Sequence, residues 1–215
     1  MAGQQKKDLV VLVPCQDIEV SIDNLLSRHK ALEIRELKRT RDYDVYRHLG
    51  KDPGCLLESH DFLRPFSNQY TRALVLFDRQ GCGKDNFSRE HLETEVEERL
   101  AANGWNDRAA AVVIDPELEA WVWNDSPHVS AVLGWQEGQA DLCSWLIGQG
   151  FMNEGEAKPH HPKEAVEQVL RLVRKPRSAA LYGQLAERVT LQKCVDPAFS
   201  KFKLLLQGWF SQEEG

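Results

Sequence analysis

The chain of 215 residues combines 42% hydrophobic with 28% charged residues, a balance typical of a globular protein that buries one sizeable core. Its formal net charge of −6 argues against a protein that coats nucleic acid through bulk positive charge. The five cysteines are odd in number and form no Cys-x-x-Cys pair, which argues against a disulfide framework and a zinc site. The first apolar run, residues 9–13, is too short for a signal peptide or a membrane span, so we expect a cytoplasmic protein without a membrane partner.

The first part of the chain alternates between short apolar runs and segments with helical periodicity. That alternation is typical of an α/β protein. In chain order, the pattern predicts a strand over 9–13, a helix that buries Ile18, Ile22, Leu25 and Leu26, a strand within 35–48, a turn over 51–54 and a helix that ends near Arg64-Pro65.

A strand-helix-strand unit follows, and it is the most clearly delimited part of the sequence. The runs 73–77 and 110–114 are continuously apolar, the pattern of strands buried on both faces of a parallel sheet. The segment between them has helical periodicity, with Ser88 as the predicted N-cap and Asn103-Gly104 as the predicted end. We therefore expect an α/β fold with a parallel sheet flanked by helices.

The rest of the chain is predicted to be helical. Asp115-Pro116 and Asp196-Pro197 each combine a capping Asp with a Pro at the first helical position. Apolar residues also recur at helical spacing between these two motifs. We expect one domain over 1–215, with an α/β core over 1–125 and a helical C-terminal part over 126–215.

Acidic residues follow the predicted strands at the edge of the sheet where the strands end. Asp78 follows one buried strand directly, and Glu117 and Glu119 follow the next one. Ligands of parallel sheets bind at this edge, and carboxylates are the ligands that hard cations prefer. These three acids, together with Asp17 and Glu19 after the first strand, are therefore candidate ligands of Mg²⁺ or Mn²⁺.

Each candidate acid also has a structural interpretation. Asp78 is in a position where Asp often caps a turn, and Glu117 could complement the dipole of its own helix. Asp17 and Glu19 could cap and solvate the first helix. If Glu117 and Glu119 lie on one helix, their side chains diverge by about 200°, so at most one of them faces a given ion.

Basic residues gather in the C-terminal part of this acidic protein. Near a metal site they could neutralise a phosphodiester, although a solvated helix face is the simpler interpretation. The run comprises Lys158, His160, His161, Lys163, Arg171, Arg174, Lys175 and Arg177. Within it we predict phosphate contacts by Lys163 and Arg177.

Lys84 is a further candidate phosphate ligand. It ends the loop Gly81-Cys82-Gly83-Lys84, which follows the predicted strand over 73–77. It lacks the spacing of a nucleotide phosphate loop, because Asp78 stands at the first Gly position and Asp85 replaces the hydroxyl residue. This argues against a nucleoside triphosphatase. A protein that binds a small phosphorylated ligand through this loop is one function that stays open.

Several short motifs occur in an order that matches a known family. They are Leu-Phe-Asp78-Arg-Gln-Gly81-Cys-Gly83, Ile-Asp-Pro-Glu117-Leu-Glu119-Ala-Trp121, Lys-Pro-x-x-Pro-Lys163-Glu, Asp-Pro-Gly-Cys55, Lys-Pro-Arg-Ser178 and Asp-Pro-Ala-Phe199. In this order they resemble the Toprim-like family of bacterial proteins, and within it the small Toprim-like component of methylation-associated phage-defence systems. The resemblance covers essentially every segment of the chain.

The resemblance implies a Toprim-type fold and a role in antiviral defence beside other subunits of the system and nucleic acid. Toprim enzymes use clustered acids to bind magnesium for strand cleavage or transfer, which implies catalytic roles here for Asp78, Glu119 and Lys163. In this chain Pro14 stands where the family usually has Glu, and Gln80 stands where it usually has a second acid. Beside the binder of a small phosphorylated ligand, two further functions therefore stay open: a metal-dependent nuclease, and a catalytically degenerate adaptor that binds nucleic acid or other subunits.

Overall fold

The sheet of this protein is parallel throughout its described strands. The structure, a computed structural model, describes residues 6–123, 126–136 and 141–212. Four strands pair in the order β2-β1-β3-β4 and run in the same direction. They are β1 (Lys7–Val13), β2 (Tyr43–Arg47), β3 (Tyr70–Asp78) and β4 (Ala109–Ile114). The four predicted strands are confirmed.

Helices flank this sheet, and after β4 the regular elements of the described residues are all helical. None of the described helices has the length and apolar character needed to cross a membrane. The predicted α/β class with a helical C-terminal part is confirmed. The helices are α1 (Gln16–Ser27), α2 (His29–Leu32), α3 (Lys51–Leu63), α4 (Arg89–Leu100), α5 (Glu119–Val122), α6 (Pro127–Leu133), α7 (Leu142–Gly148), α8 (Pro162–Leu172), α9 (Ala179–Arg188) and α10 (Pro197–Trp209).

The two faces of the sheet carry separate hydrophobic cores. On one face Leu9 and Val11 of β1 share a core with α1 and with the C-terminal helices α8, α9 and α10. On the other face Val10 and Leu12 share a core with α3 and α4. All of these strand side chains are fully buried, as the continuous apolar runs predict.

The chain leaves the adjacent strands β1 and β3 toward opposite faces of the sheet. After β1 the chain enters α1, whose Ile18 and Ile22 belong to the first core. After β3 it enters α4, whose Leu92 and Val96 belong to the second core. Diverging helices leave a crevice at the carboxyl ends of the two strands, and this is where open α/β sheets bind ligands.

Local capping signals in the sequence are confirmed at three places. The Ser88 hydroxyl accepts the His91 N–H at 3.2 Å at the start of α4. Gly104, predicted to end that helix, has a left-handed φ of 93°. The Asp196 carboxylate accepts the N–H groups of Ala198 and Phe199 at 2.9 and 3.0 Å, which starts α10.

The turn predicted over 51–54 is wrong, because these residues form the first turn of α3. Pro53 is tolerated there, since N–H groups of a first turn have no acceptor within the helix. Gly54 serves packing, because a Cβ at this position would lie 2.0 Å from Nδ1 of the buried His48. Pro53-Gly54 therefore lies at the start of a helix, in close contact with the His48 side chain.

The helix predicted to start at Asp115-Pro116 begins instead at Glu119, as α5. The Asp115 carboxylate does not cap it, because it accepts the Arg79 Nε–H at 2.7 Å. The Pro116 carbonyl accepts the Gln80 N–H at 2.9 Å. Residues 115–117 are thus a loop bonded to the segment that follows β3.

The outer edge of β4 is closed by side chains of α4. Glu93 accepts the Val113 N–H and Glu97 accepts the Ala111 N–H, each at 3.0 Å. Lys201 of α10 contacts both glutamates, at 3.1 and 2.8 Å. Because free N–H groups on an edge strand invite pairing with another chain, these bonds protect the edge.

We predict that Glu93→Ala lowers the free energy of unfolding by about 3–5 kcal/mol, because it leaves the Val113 N–H and the partners Arg89 and Lys201 without their buried carboxylate. Glu90→Ala on the same helix is the matched control. It breaks one exposed ion pair with Arg89 and is expected to cost less than about 1 kcal/mol. Urea unfolding measures both values, and equal small losses would contradict this account of the edge.

Candidate functional site

Five carboxylates gather at the carboxyl edge of the sheet, around the crevice between β1 and β3. Two belong to the first turns of α1 and α3, one ends β3, and two follow β4. We call this set the carboxylate cluster: Asp17, Asp52, Asp78, Glu117 and Glu119. Four of its members are acids that the sequence singles out.

Asp78 is the member of the carboxylate cluster whose ionised form is opposed both by burial and by three neighbouring acids. Its residue keeps some exposed surface, but its Oδ1 atom is buried and has no hydrogen-bond partner among the described residues. Burial raises the pKa of Asp78 well above its ordinary value, and the charges of Asp52, Glu119 and Glu117 raise it further. An ionised Asp78 therefore requires a compensating positive charge.

Asp52 is a member of the cluster that the motifs did not reveal. Its Oδ1 accepts the Asp78 N–H at 2.9 Å. Burial raises the pKa of Asp52, while the Asp78 N–H and the charges of Lys163 and Lys51 act in the opposite direction. The available signal was its position shortly after β2, at the start of the next helix, which the interpretation of residues 51–54 as a turn obscured.

Glu117 and Glu119 are both buried, and the charges of both act on Asp78. The prediction that at most one of them faces a given ion assumed that both lie on one helix. Glu117 lies in the loop before α5, and helical divergence therefore does not apply to the pair. They are 6% and 1% exposed, respectively. Burial raises the pKa of Glu117, and the charge of Glu119 raises it further, against a lowering by Lys163.

Lys163 enters the cluster from the first turn of α8. Its Nζ contacts Glu117 Oε2 at 3.3 Å, and its side chain stays 40% exposed. Burial lowers the pKa of Lys163, but Glu117 and Glu119 outweigh that effect, so the pKa is raised. The ammonium is thus charged and attracted by more than one member of the cluster.

Arg177 joins the C-terminal part to both ends of the cluster. One guanidinium nitrogen contacts Glu119 Oε1 at 3.0 Å and Asp17 Oδ2 at 3.1 Å. Its Nε donates to the Tyr182 hydroxyl at 2.7 Å, and that hydroxyl donates to Glu119. Burial and the Glu119 charge raise the pKa of Tyr182, which keeps this hydroxyl a donor.

Two predicted site residues lie in other ion pairs. Glu19 contacts Arg39 at 2.7 Å and Arg47 at 3.0 Å, beside the end of β2. Lys84 contacts Glu95 of α4 at 2.6 Å. The structure therefore places Glu19 and Lys84 in structural contacts and not with the other predicted ligands.

Two other members of the basic run also lie in structural contacts. Lys158 pairs with Asp196 at 2.6 Å, and Lys175 donates to the Val132 carbonyl at 2.5 Å. The buried Trp121 donates its indole N–H to Asp196 at 3.0 Å. From the predicted basic run, Lys163 and Arg177 are the residues that the structure brings to the carboxylate cluster.

An open groove of about 620 Å³ lies along the carboxyl ends of β1 and β2. Gln16 and Lys51 line it and directly precede the cluster members Asp17 and Asp52, but none of the five cluster acids is among its lining residues. Its lining comprises Pro14, Cys15, Gln16, Glu19, Val45, Tyr46, Arg47, His48, Leu49 and Lys51.

The chemistry of the cluster suits a hard divalent cation, which prefers anionic oxygens. Within the described ranges, Asp78 Oδ1 is a buried acceptor without a hydrogen-bond partner, and the five acids outnumber the basic groups Lys163, Arg177 and Lys51 that act on them. Among the described residues, however, no three His, Cys, Asp or Glu side chains stand at metal-ligand spacing. Loading a metal ion there requires these side chains to move closer together.

No protein-family model, curated protein or solved structure matches this chain. The function of the cluster is therefore inferred from its own geometry and charge. The Toprim-like resemblance of the motifs stays a prediction.

We predict that Asp78→Asn stabilises the metal-free protein by about 1–3 kcal/mol near neutral or mildly alkaline pH. It removes a charge that lies among other acids and whose buried Oδ1 atom has no hydrogen-bond partner in the described part of the chain, although the Leu118 N–H offsets part of this cost. The raised pKa of Asp78 sets the sign: the stability that its neutral form contributes is complete below 3.8 and is lost as pH rises through the folded-state value. The gain from Asn should therefore shrink as the pH falls toward 3.8. Urea unfolding in EDTA across this pH range measures it.

Asp85→Asn provides the control of opposite sign. The Gly81 N–H lowers the pKa of the exposed Asp85, so its carboxylate contributes stability above the ordinary pKa that is lost on acidification. This variant should be slightly less stable than the wild type at neutral pH. An Asp78→Asn variant that is also less stable there would contradict the assignment of Asp78 as an uncompensated charge.

Proposed function

We propose that this protein is a cytoplasmic, divalent-metal-dependent phosphodiesterase that acts as a component of a bacterial antiviral defence system. The observation that carries this proposal is the buried Oδ1 of Asp78, which has no hydrogen-bond partner among the residues that the structure describes and lies within a group of carboxylates at the crevice of a parallel sheet. Such a group binds a cation more favourably than it stays ionised and empty.

The residues divide into two roles. Asp78, Glu117 and Glu119, with Asp52 as an additional acid, would hold Mg²⁺ or Mn²⁺. When bound, the metal would activate water and stabilise charge on the phosphorus. Lys163 and Arg177 would contact the phosphate oxygens, since they are the basic groups that already lie against these acids.

The biological setting rests on the motifs. Their resemblance to the small Toprim-like component of methylation-associated phage-defence systems supports a role beside other subunits of such a system, with nucleic acid as the substrate. A chain with a formal charge of −6 attracts nucleic acid poorly as a whole, so binding of nucleic acid would need a local group of basic residues.

Calorimetric titration with Mn²⁺ and Mg²⁺ tests the metal site without a known substrate. We expect wild-type protein to bind Mn²⁺ and Asp78→Asn to bind it at least about tenfold more weakly, because an anionic ligand is replaced by a neutral one. Asp85→Asn removes a nearby acid outside the cluster and should bind like the wild type. Strand cleavage of single- and double-stranded DNA and RNA is then measured for the same three proteins.

Two results would contradict this proposal. One is equal Mn²⁺ affinity in wild type and Asp78→Asn, which would place the ion elsewhere. The other is cleavage that persists unchanged in Asp78→Asn, which would remove the cluster from the reaction.

A catalytically inactive adaptor is the second candidate, and one observation favours it. Lys163 and Arg177 already neutralise Glu117 and Glu119 without any metal, and Gln80 supplies a neutral amide where the family usually has an acid. An adaptor would bind its partner subunits or nucleic acid equally well as wild type and as Asp78→Asn, in EDTA as in Mn²⁺. Binding that needs both Asp78 and the metal would rule this candidate out.

A further inference from the structure

The two edge strands of the sheet are covered to different extents. At β4, side chains of α4 bond to the outward N–H groups. At β2, the opposite edge of the sheet, a short segment over 38–40 pairs with the first residue, Tyr43. The Tyr43 N–H donates to the Lys38 carbonyl at 3.4 Å, and the Tyr43 carbonyl accepts the Thr40 N–H at 2.7 Å. These two bonds are the cover that the described residues give to the backbone of the β2 edge.

The next two outward residues of β2 are Val45 and Arg47. Alternate residues of a parallel strand bond to the same neighbour, and the His48 N–H donates to the Val13 carbonyl of β1 at 2.9 Å. Val45 and Arg47 lie three positions and one position before His48, so their N–H and C=O groups face away from β1. Within the described ranges, no other group bonds to these four backbone groups. They form an open sheet edge, which favours pairing with a further strand.

The open groove along the ends of β1 and β2 passes this edge. Val45, Arg47 and Leu49 line it, together with the start of α1. Its volume of about 620 Å³ lies within the range of about 300–1,000 Å³ that is typical of ligand-binding clefts. Leu49 is 99% exposed and offers an apolar contact beside the edge. An extended peptide in this groove reaches both the open backbone groups and an apolar side chain.

The charge of the groove favours an acidic occupant. The Arg47 side chain is 55% exposed and contacts Glu19 at 3.0 Å, but Glu19 also pairs with Arg39. Lys51 is exposed and has no salt-bridge partner in the described part of the chain. Cationic groups therefore outnumber the carboxylate of Glu19 along this groove, on a chain whose formal net charge is −6.

We propose that the outer edge of β2 is the docking site for an extended, acidic segment of a partner protein, which adds to the sheet as a fifth strand. Main-chain bonds to Val45 and Arg47 would supply affinity, while the side chains of Arg47, Lys51 and Leu49 would select acidic residues and an apolar one. A second copy of this chain suits the edge less well, because two-fold pairing would bring like charges of both copies together. This inference goes beyond the proposed function, since it uses no member of the carboxylate cluster.

Selection from a random peptide library displayed on phage, with the wild-type protein as bait, tests the chemistry of the occupant. We expect the selected peptides to be rich in Asp and Glu, with β-branched apolar residues between them. One selected peptide is then synthesised with a fluorescent label, and its affinity is measured by fluorescence anisotropy.

The affinity is compared for four proteins: wild type, Arg47→Pro, Arg47→Gln and Leu204→Ser. Arg47→Pro removes an outward N–H that the ladder to β1 does not use, and it should bind the peptide at least about tenfold more weakly. Arg47→Gln removes the charge but keeps the N–H, so it should lose less affinity than Arg47→Pro. Leu204→Ser changes an exposed leucine of α10 outside the groove and should bind like the wild type.

Two N-methylated forms of the selected peptide test strand addition with the wild-type protein alone. Only one edge of an added strand faces β2, so methyl groups on one alternate set of backbone amides should abolish binding. Methyl groups on the other set should leave binding largely intact. This comparison decides the question if urea unfolding shows that Arg47→Pro has a folding defect.

Three results would overturn the inference. The first is a selection that yields no peptides or basic ones. The second is binding that survives Arg47→Pro and both sets of methyl groups. The third is a wild-type dimer that Arg47→Pro converts to a monomer in analytical ultracentrifugation, which would assign the edge to a second copy. Each of these results leaves the Mn²⁺ titrations of the proposed function unaffected.

Discussion

The constraint on which the site depends is an excess of buried negative charge that the α/β core cannot balance by itself. Parallel strands end at one edge of the sheet, so acids placed after successive strands are forced together there. The basic groups that meet Glu117 and Glu119 come from the C-terminal part, as Lys163 and Arg177. Arg177 also reaches Asp17 on α1, so the same ion pairs that neutralise the site attach the helical part to the core.

Much of the fold is readable from the sequence because its signals are local. Continuous apolar runs predict the buried strands of a parallel sheet, since both faces of such strands meet hydrophobic cores. The starts of α4 and α10 are equally local, because Ser88 and Asp196 bond to N–H groups only two or three residues away. The parallel order then brings Asp78 near the acids after β4 without any further information.

The wrong predictions arise where a residue distant in sequence contacts a residue that a local sequence rule assigns to a helix cap or a turn. Asp115 would cap a helix, but Arg79 pairs with its carboxylate across the ends of β3 and β4. Gly54 resembles a turn residue, yet it is required by the packing of His48 against α3. That error concealed Asp52, and no spacing in the chain could connect Tyr182 to Glu119, 63 residues earlier.

Glu93 and Asp78 show how a buried acid that supports the fold differs from one that we expect to bind a ligand. A buried acid with complete partners, such as Glu93, stabilises the fold because its charge is matched and its oxygens are bonded. Asp78 is the opposite case, since its buried Oδ1 finds no hydrogen-bond partner in the part of the chain that the structure describes, and acids surround it. A globular protein gains nothing in stability from such an arrangement, and an asparagine or a closer basic group would remove the penalty. Uncompensated buried charge of this kind is the signature expected of a site that is completed by a ligand.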